Sequence, residues 1–428
     1  MEGMKQDMRF MCKDVGVRMY GSPEERRVAD YIKEGFEKSG LSTEIQEFPV
    51  EKMEYSTVEF GKFRGEEIVK LDVLPLAQSG FTENPEGEIL ELAYLENIKL
   101  ATKKKEEIQG KAVIVYGGLG EDLKDYRALV NSGAKVLIVN DSRYPVPWLI
   151  ADGMPYLWMQ EKMLPVVLPI YFDTVNLLKE GVKKVFVKVA GKKRNLFSQN
   201  VVGFRKGKGK ENIIITAHHD SVMIGEGATD NATGVAILLE IARRLKDVPL
   251  KEKNILLVSC GSEEVLSYGS LNFVKNNKDI VKNCMFNMNF DSCSSFYGEN
   301  KILVTGEEKL SSYIKEKVEQ SGEWYNLSSD ISPFSDQFPF NIMGVPSIWF
   351  RRHNSYQGYF PFHSHLNKLE IVDFNVMKDV VDVAYGILDD VSSRQDMPFP
   401  REISVADKKR IDVFHKDLFG GLLKNRVL

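Results

Sequence analysis

The chain has 428 residues and a formal net charge of −4, with 43% hydrophobic and 28% charged residues. These values suit a globular protein with a sizeable core, and the length implies two or three domains, or one large domain with an insertion. They exclude a nucleic-acid binder that works through bulk positive charge, and no stretch of about 18 uninterrupted apolar residues offers a membrane span.

The N-terminal MEGMKQDMRFMCKDVG holds no apolar run of the signal-peptide kind, so a cytoplasmic location is expected. The first clear element is a helix over 22–39. Ser22 can cap it, Pro23 suits its first position, Glu25 completes a capping box, and Val28, Ile32 and Phe36 form an apolar face. Gly40 can end it in a left-handed conformation, and 42–50 reads as a strand.

The character changes over 55–197. Gly110-Lys111 leads into the apolar run 112–115, a helix is predicted over 125–132, and a second apolar run covers 136–139. The proline- and aromatic-bearing stretch 144–164 reads as a long loop. The lysine runs at 103–105 and 206–210 lack interleaved aromatic residues that could stack bases, so they read as solvated surface.

From Asn200 the pattern turns α/β. Strands are predicted over 212–216, 254–259, 285–290 and 346–350, and helices over 233–245, 266–276, 372–390 and 406–418. The expected fold is therefore α/β, with a mixed, mainly parallel central sheet flanked by helices and an inserted β-rich module. Residues 1–54 and 198–428 would form one domain and 55–197 the other. The four cysteines, Cys12, Cys260, Cys284 and Cys293, form no C-x-x-C pair. Buried thiols are expected, with a Cys284–Cys293 bridge as the alternative.

In open α/β sheets, ligands bind beyond the carboxyl ends of the strands. There the sequence places His218 and Asp220, the pair Glu263-Glu264, Asp291, and a late loop with His363 and His365; the segment 227–234 before a helix offers Asp230. Singly, each has an ordinary reading: a surface histidine, a helix cap, a solvated acidic pair. Jointly, imidazoles and carboxylates gathered at one sheet edge suit a divalent ion such as zinc. Asp230, Glu264, Asp291 and one hydroxide would balance two Zn²⁺, which keeps the desolvation cost of a buried cluster low.

The motifs read AHHDS (217–221), GATDNATG (227–234), GSEEVLSYGS (261–270), NFDS (289–292) and FPFHSH (360–365). In this order they resemble the zinc aminopeptidase and glutamate carboxypeptidase family, which includes bacterial leucyl aminopeptidase and aminopeptidase Y. RMYGSPEERRVADYI (18–32), SQNVVG (198–203) and SDQFPFNIMGVPSIWF (335–350) resemble further family segments. The likeness covers 15–50 and 198–390.

The resemblance implies a peptidase acting on peptide substrates with two Zn²⁺ per chain, and leaves Co²⁺ or Mn²⁺ open. It implies His218 and Asp291 on one ion, Glu264 and His363 on the other, and Asp230 bridging. Asp220 would orient His218 through its second ring nitrogen, and Glu263 would be the general base for the metal-bridging water. The 55–197 insertion resembles a protease-associated domain through IQGKAVIV (108–115) and NSGAKVLIVND (131–141). No nucleic acid or membrane partner is expected, and a homodimer is compatible with the sequence.

Some positions depart from the family pattern. His219 stands where Tyr is common, Gln337 where His is common, and Phe362 where carboxypeptidase relatives carry a Tyr that donates to the oxyanion; Ser332 replaces the Tyr used by some aminopeptidases. Tyr356 and Tyr359 are the candidate replacements, and His365 is the alternative to His363. The leading reading is an aminopeptidase. The alternatives are a glutamate-carboxypeptidase-like enzyme using Arg351 and Arg352, a one-zinc glutaminyl cyclase-like enzyme, and a non-catalytic receptor-like protein.

Overall fold

Ser22 starts the first long helix. Its hydroxyl accepts a hydrogen bond from the Glu25 amide at 3.1 Å, Pro23 occupies the first helical position, and the helix runs Pro23–Lys38. The capping box is altered in one respect. The Ser22 amide donates to the Met19 carbonyl, so the Glu25 carboxylate accepts from Gly21 at 2.7 Å instead. The other oxygen of Glu25 accepts from Ser198 Oγ, which ties the helix to a distant strand.

The computed structural model describes residues 1–120, 122–353 and 361–423. The chain divides into two compact units: Met1–Val50 with Phe197–His415 and Gly421–Leu428, and Glu51–Leu196 with Lys416–Gly420.

In the first unit, strand Asn212–His218 lies between Asn254–Cys260 and Cys284–Phe290, parallel to both, and Cys284–Phe290 is followed by parallel Ser347–His353. Antiparallel strands flank this core: residues 201–205 of Lys184–Arg205 on one side, and Glu299–Thr305 on the other. Asn326–Ser329 adds in parallel at the outer edge. The central strands are near-continuous apolar runs because both faces are covered. Val235, Leu238 and Ile241 of helix Thr233–Leu245 share a core with Ile213, Ile215 and Leu257.

Several elements had no counterpart in the sequence reading. Glu2–Arg9 is an α-helix that continues into a wider turn over Phe10–Val15, and it buries Met4, Met8 and Met11 in the same core. Strand Glu299–Thr305 leads into helix Glu308–Ser321. The predicted C-terminal helices are Phe374–Ser393 and Val405–Asp417. All four cysteines are buried and free, so no Cys284–Cys293 bridge exists.

In the second unit, strand Glu88–Leu95 pairs antiparallel with residues 184–187 and parallel with Ala112–Tyr116. Val136–Asn140 and Val166–Pro169 continue the parallel run, and Val73–Pro75 closes it antiparallel. Helix Leu123–Asn131 connects Ala112–Tyr116 to Val136–Asn140. Ala112, Ile114, Val136, Ile138 and Val167 fill its core with Leu177 of helix Tyr171–Lys179. The stretch expected to be a long loop contains a short helical turn, Tyr156–Gln160, anchored by buried Trp158.

Candidate metal centre

The parallel register assembles the site. His218 is the last residue of its strand and pairs with Cys260, the last residue of its neighbour. The turn 261–264 therefore leaves the sheet beside His218. On the other side Asn289 lies opposite Thr216, so Asp291 emerges one residue past the end of its strand. Asp230 comes from the turn before helix Thr233–Leu245, where the Asp230–Asn231 peptide is cis.

Asn231 holds that turn in place. Its amide nitrogen donates to the Phe290 carbonyl at 2.8 Å, and its side-chain oxygen accepts from Gly234 and from Ser292. The Asp230 turn is thus fastened to the strand end that carries Asp291.

The centre is organised around Asp230. Its Oδ1 is 3.1 Å from His218 Nε2, and its Oδ2 is 3.5 Å from His363 Nε2. Each imidazole has a second carboxylate: Asp291 Oδ1 at 3.6 Å from His218 Nε2, and Glu264 Oε2 at 3.0 Å from His363 Nε2. Asp220 lies behind His218, with Oδ1 at 3.5 Å and its carbonyl at 3.3 Å from Nδ1. The Asp220 carboxylate also accepts from the Glu263 and Glu264 amides, at 2.9 and 3.2 Å, which fixes the acidic turn relative to the histidine. Glu263 Oε2 is 3.9 Å from His218 Nε2, and its Oε1 accepts from Ser267 Oγ at 3.2 Å.

The electrostatics reflect buried carboxylates crowded around two imidazoles. Burial opposes charge on both imidazoles, but the surrounding carboxylates, Glu263 first for His218 and Glu264 first for His363, hold their pKa values well above the usual range. Burial pushes Glu263 well up, and burial with the charge of Asp230 takes Glu264 up to about 7. Asp230 stays below the ordinary carboxylate range because the two imidazoles outweigh its desolvation. Burial also raises Asp336, nearby in the same charge network, to about 7.

The donor set fits a divalent metal. Among the described residues His218 Nε2 is buried without a hydrogen-bond partner, and donor atoms of His218, Asp230 and Glu264 all lie within 4.8 Å of one another. Imidazole nitrogens and carboxylate oxygens are the ligands zinc accepts.

Backbone strain concentrates here. Ser262, Leu266 and Ser267 have left-handed φ values of 57°, 71° and 50°, bracketing Glu263 and Glu264; Ser292 and His363 have 57° and 48°. For residues other than glycine such values cost energy, and they persist where surrounding contacts over-determine the backbone.

The structure brings together His218, Asp220, Asp230, Glu263, Glu264, Asp291 and His363. His365 is exposed, whereas His363 is buried with its ring stacked on Phe362. Tyr356 and Tyr359 lie outside the described residues. Sequence reasoning assigned no role to Ser335, whose hydroxyl donates to Asp291 Oδ2 at 2.6 Å and is itself held by Asn289. The signal was its place in the segment 335–350, but a serine has no property in sequence that marks it as an anchor for a carboxylate.

Residues 200–388 match the model of peptidase family M28. Aminopeptidase YwaD of Bacillus subtilis is 27% identical over 355 residues, covering 79% of this chain and 73% of that protein. Among solved structures, an aminopeptidase from Aneurinibacillus sp. strain AM-1 has 22% identity and a TM-score of 0.74, covering 94% of this chain and 96% of that one. A zinc aminopeptidase from Bacillus subtilis has 21% identity and a TM-score of 0.76, covering 95% and 98%. These likenesses show a shared fold over nearly the full length.

Proposed function

We propose that the chain, whose residues 200–388 match the model of peptidase family M28, is a zinc-dependent aminopeptidase removing N-terminal residues from peptides. The observation that carries the two-ion form of this reading is the bridging posture of Asp230, with one oxygen toward His218 and the other toward His363. His218 and Asp291 would hold one zinc ion, His363 and Glu264 the other, and Asp230 both. Zinc bound there supplies a Lewis acid that activates water and polarises the scissile carbonyl.

The chain's own groups would do the remaining work. Glu263, raised in pKa by burial, suits a general base that takes a proton from the attacking water and returns it to the leaving amine. Asp220 would hold the His218 ring so that Nε2 faces the centre. Ser335 would fix Asp291, and the Val222 amide, donating to Glu264 Oε1 at 3.1 Å, would fix Glu264. The second unit, with strands Ala112–Tyr116 and Val136–Asn140 around helix Leu123–Asn131, supports reading it as a protease-associated-like domain.

The glutamate-carboxypeptidase alternative needs free basic groups for substrate carboxylates. Arg352 is committed to the Tyr297 carbonyl and Asn300, and Arg351 lies over the Trp349 ring. The test is cleavage of matched free and N-acylated peptides by zinc-loaded protein, with metal content measured. Cleavage of only the free-amine peptide, with two zinc ions per chain, is expected. Equal cleavage of both, or preference for the blocked peptide, would overturn the aminopeptidase reading; a single ion would overturn the two-ion form.

A further inference from the structure

Arg18 is fully buried, and its guanidinium is spent on backbone carbonyls. Nε donates to His219 at 2.7 Å, one nitrogen to Glu226 at 2.8 Å and Gly16 at 3.3 Å, and the other to Gly227 at 2.7 Å. These carbonyls belong to two turns that carry site residues. His219 lies between His218 and Asp220, and Glu226 and Gly227 open the turn that ends in Asp230. The Arg18 backbone adds a reciprocal pair with Ser221, donating to its hydroxyl at 3.0 Å and accepting from its amide at 3.2 Å.

We infer that Arg18 is a positioning residue for the metal centre, clamping the His218 turn to the Asp230 turn. The inference rests on the metal reading above. One feature supports it independently. Gly227 approaches so closely that a Cβ there would lie 2.9 Å from the guanidinium and 2.7 Å from Ser221 Cβ, in a backbone with φ of 56°. Arginine suits this place because its planar fork reaches several carbonyls at once, which a lysine ammonium does not.

The geometry has a specific consequence. The guanidinium sets the spacing of His218 and Asp230, so its loss loosens zinc binding before it loosens the fold. Partners that orient metal ligands typically contribute about 10- to 100-fold in affinity. The experiment measures zinc affinity by competition with a chromogenic chelator, and the zinc-induced rise in Tm, for the wild type, Arg18→Lys, Arg18→Met and Gly227→Ala. Arg243→Lys is the control, because Arg243 also serves a buried group, Asp7, but outside this centre.

Expected are a zinc Kd about 10- to 100-fold weaker in Arg18→Lys and Gly227→Ala, a smaller zinc-induced rise in Tm, and wild-type values for Arg243→Lys. Should Arg18→Met fail to fold, Arg18→Lys, which keeps the charge, still decides the matter. An unchanged Kd in Arg18→Lys and Gly227→Ala, with Tm lowered equally with and without zinc, would make Arg18 merely structural and overturn the inference alone. A wild-type chain that binds no zinc would instead overturn the metal reading itself.

Discussion

Replacing Glu263 with glutamine separates proton transfer from metal binding. The amide keeps the side chain's size and one oxygen to accept from Ser267 Oγ, now 3.2 Å from Glu263 Oε1. It cannot take a proton. Loss of a general base removes about two to four decades of rate, or about 2.7–5.4 kcal/mol of transition-state stabilisation. Glu263 stands 3.9 Å from His218 Nε2, and no ligand role is assigned to it, so metal content should not change. Ser267→Ala gives the graded comparison: losing one hydrogen bond to a charged group is worth about 1.5–3 kcal/mol, or about one to two decades. The assay is kcat/KM on a free-amine peptide together with zinc stoichiometry. Glu263→Gln with more than about a tenth of wild-type kcat/KM and full metal would refute the base assignment, since even the smallest expected loss is about a hundredfold. Full loss of one metal would show that Glu263 is a ligand instead.

Three further outcomes follow from particular contacts. Ser335→Ala removes the 2.6 Å bond to Asp291 and should weaken zinc binding about 10- to 100-fold, read by the same chelator competition; an unchanged Kd would show that Asp291 needs no anchor. Ser262→Gly relaxes a φ of 57° and removes a buried hydroxyl that has no hydrogen-bond partner among the described residues. Offset by glycine's greater chain entropy, it should raise unfolding free energy by about 1 kcal/mol in urea titrations, and a loss of stability would refute the strain argument. Asp7 is held by Tyr31 and Arg243, but burial outweighs them and takes its pKa from 3.8 to about 6. Its folded pKa lies above its unfolded one, so the folded state binds the proton more tightly. The associated stability is therefore full below about pH 3.8 and lost as pH rises through 6, for a total of about 3 kcal/mol. Asp7→Asn should abolish that slope, measured as urea stability against pH from 3.5 to 7.5; an identical slope in both proteins would refute it.

The parallel strands were legible because their apolar runs are short and end at turns that carry polar residues. The Asn212–His218 strand and the helix Thr233–Leu245 follow directly from that pattern. The candidate-site residues other than His363 were legible for a related reason, since each stands near a strand end or just before a helix, where the chain leaves the core. What holds them was not legible. Asn231, Ser335 and Arg18 act through hydrogen bonds that reach groups 44 or more residues away, and no local periodicity marks such a residue. The N-terminal helix was missed because Met4, Met8 and Met11 sit among charged neighbours, and only the packed core shows that methionine fills one continuous face. The β-rich appearance of 55–197 was right in composition but hid a run of parallel strands, which require crossovers that a list of short runs does not reveal.

The parallel register that gathers the histidines and carboxylates at the carboxyl ends leaves the amino ends of the same strands without chemistry. The lysine- and glycine-bearing turn before Asn212 lies there, with residues 208–210 exposed. An affinity peptide or reporter spliced between Gly209 and Lys210 would enter a solvent-facing connection. A single residue added after His218 would instead shift Asp220 and the Arg18 clamp out of phase with the strand end. The sheet thus has one margin open to protein engineering and one closed to it, and the line between them runs along the length of a seven-residue strand.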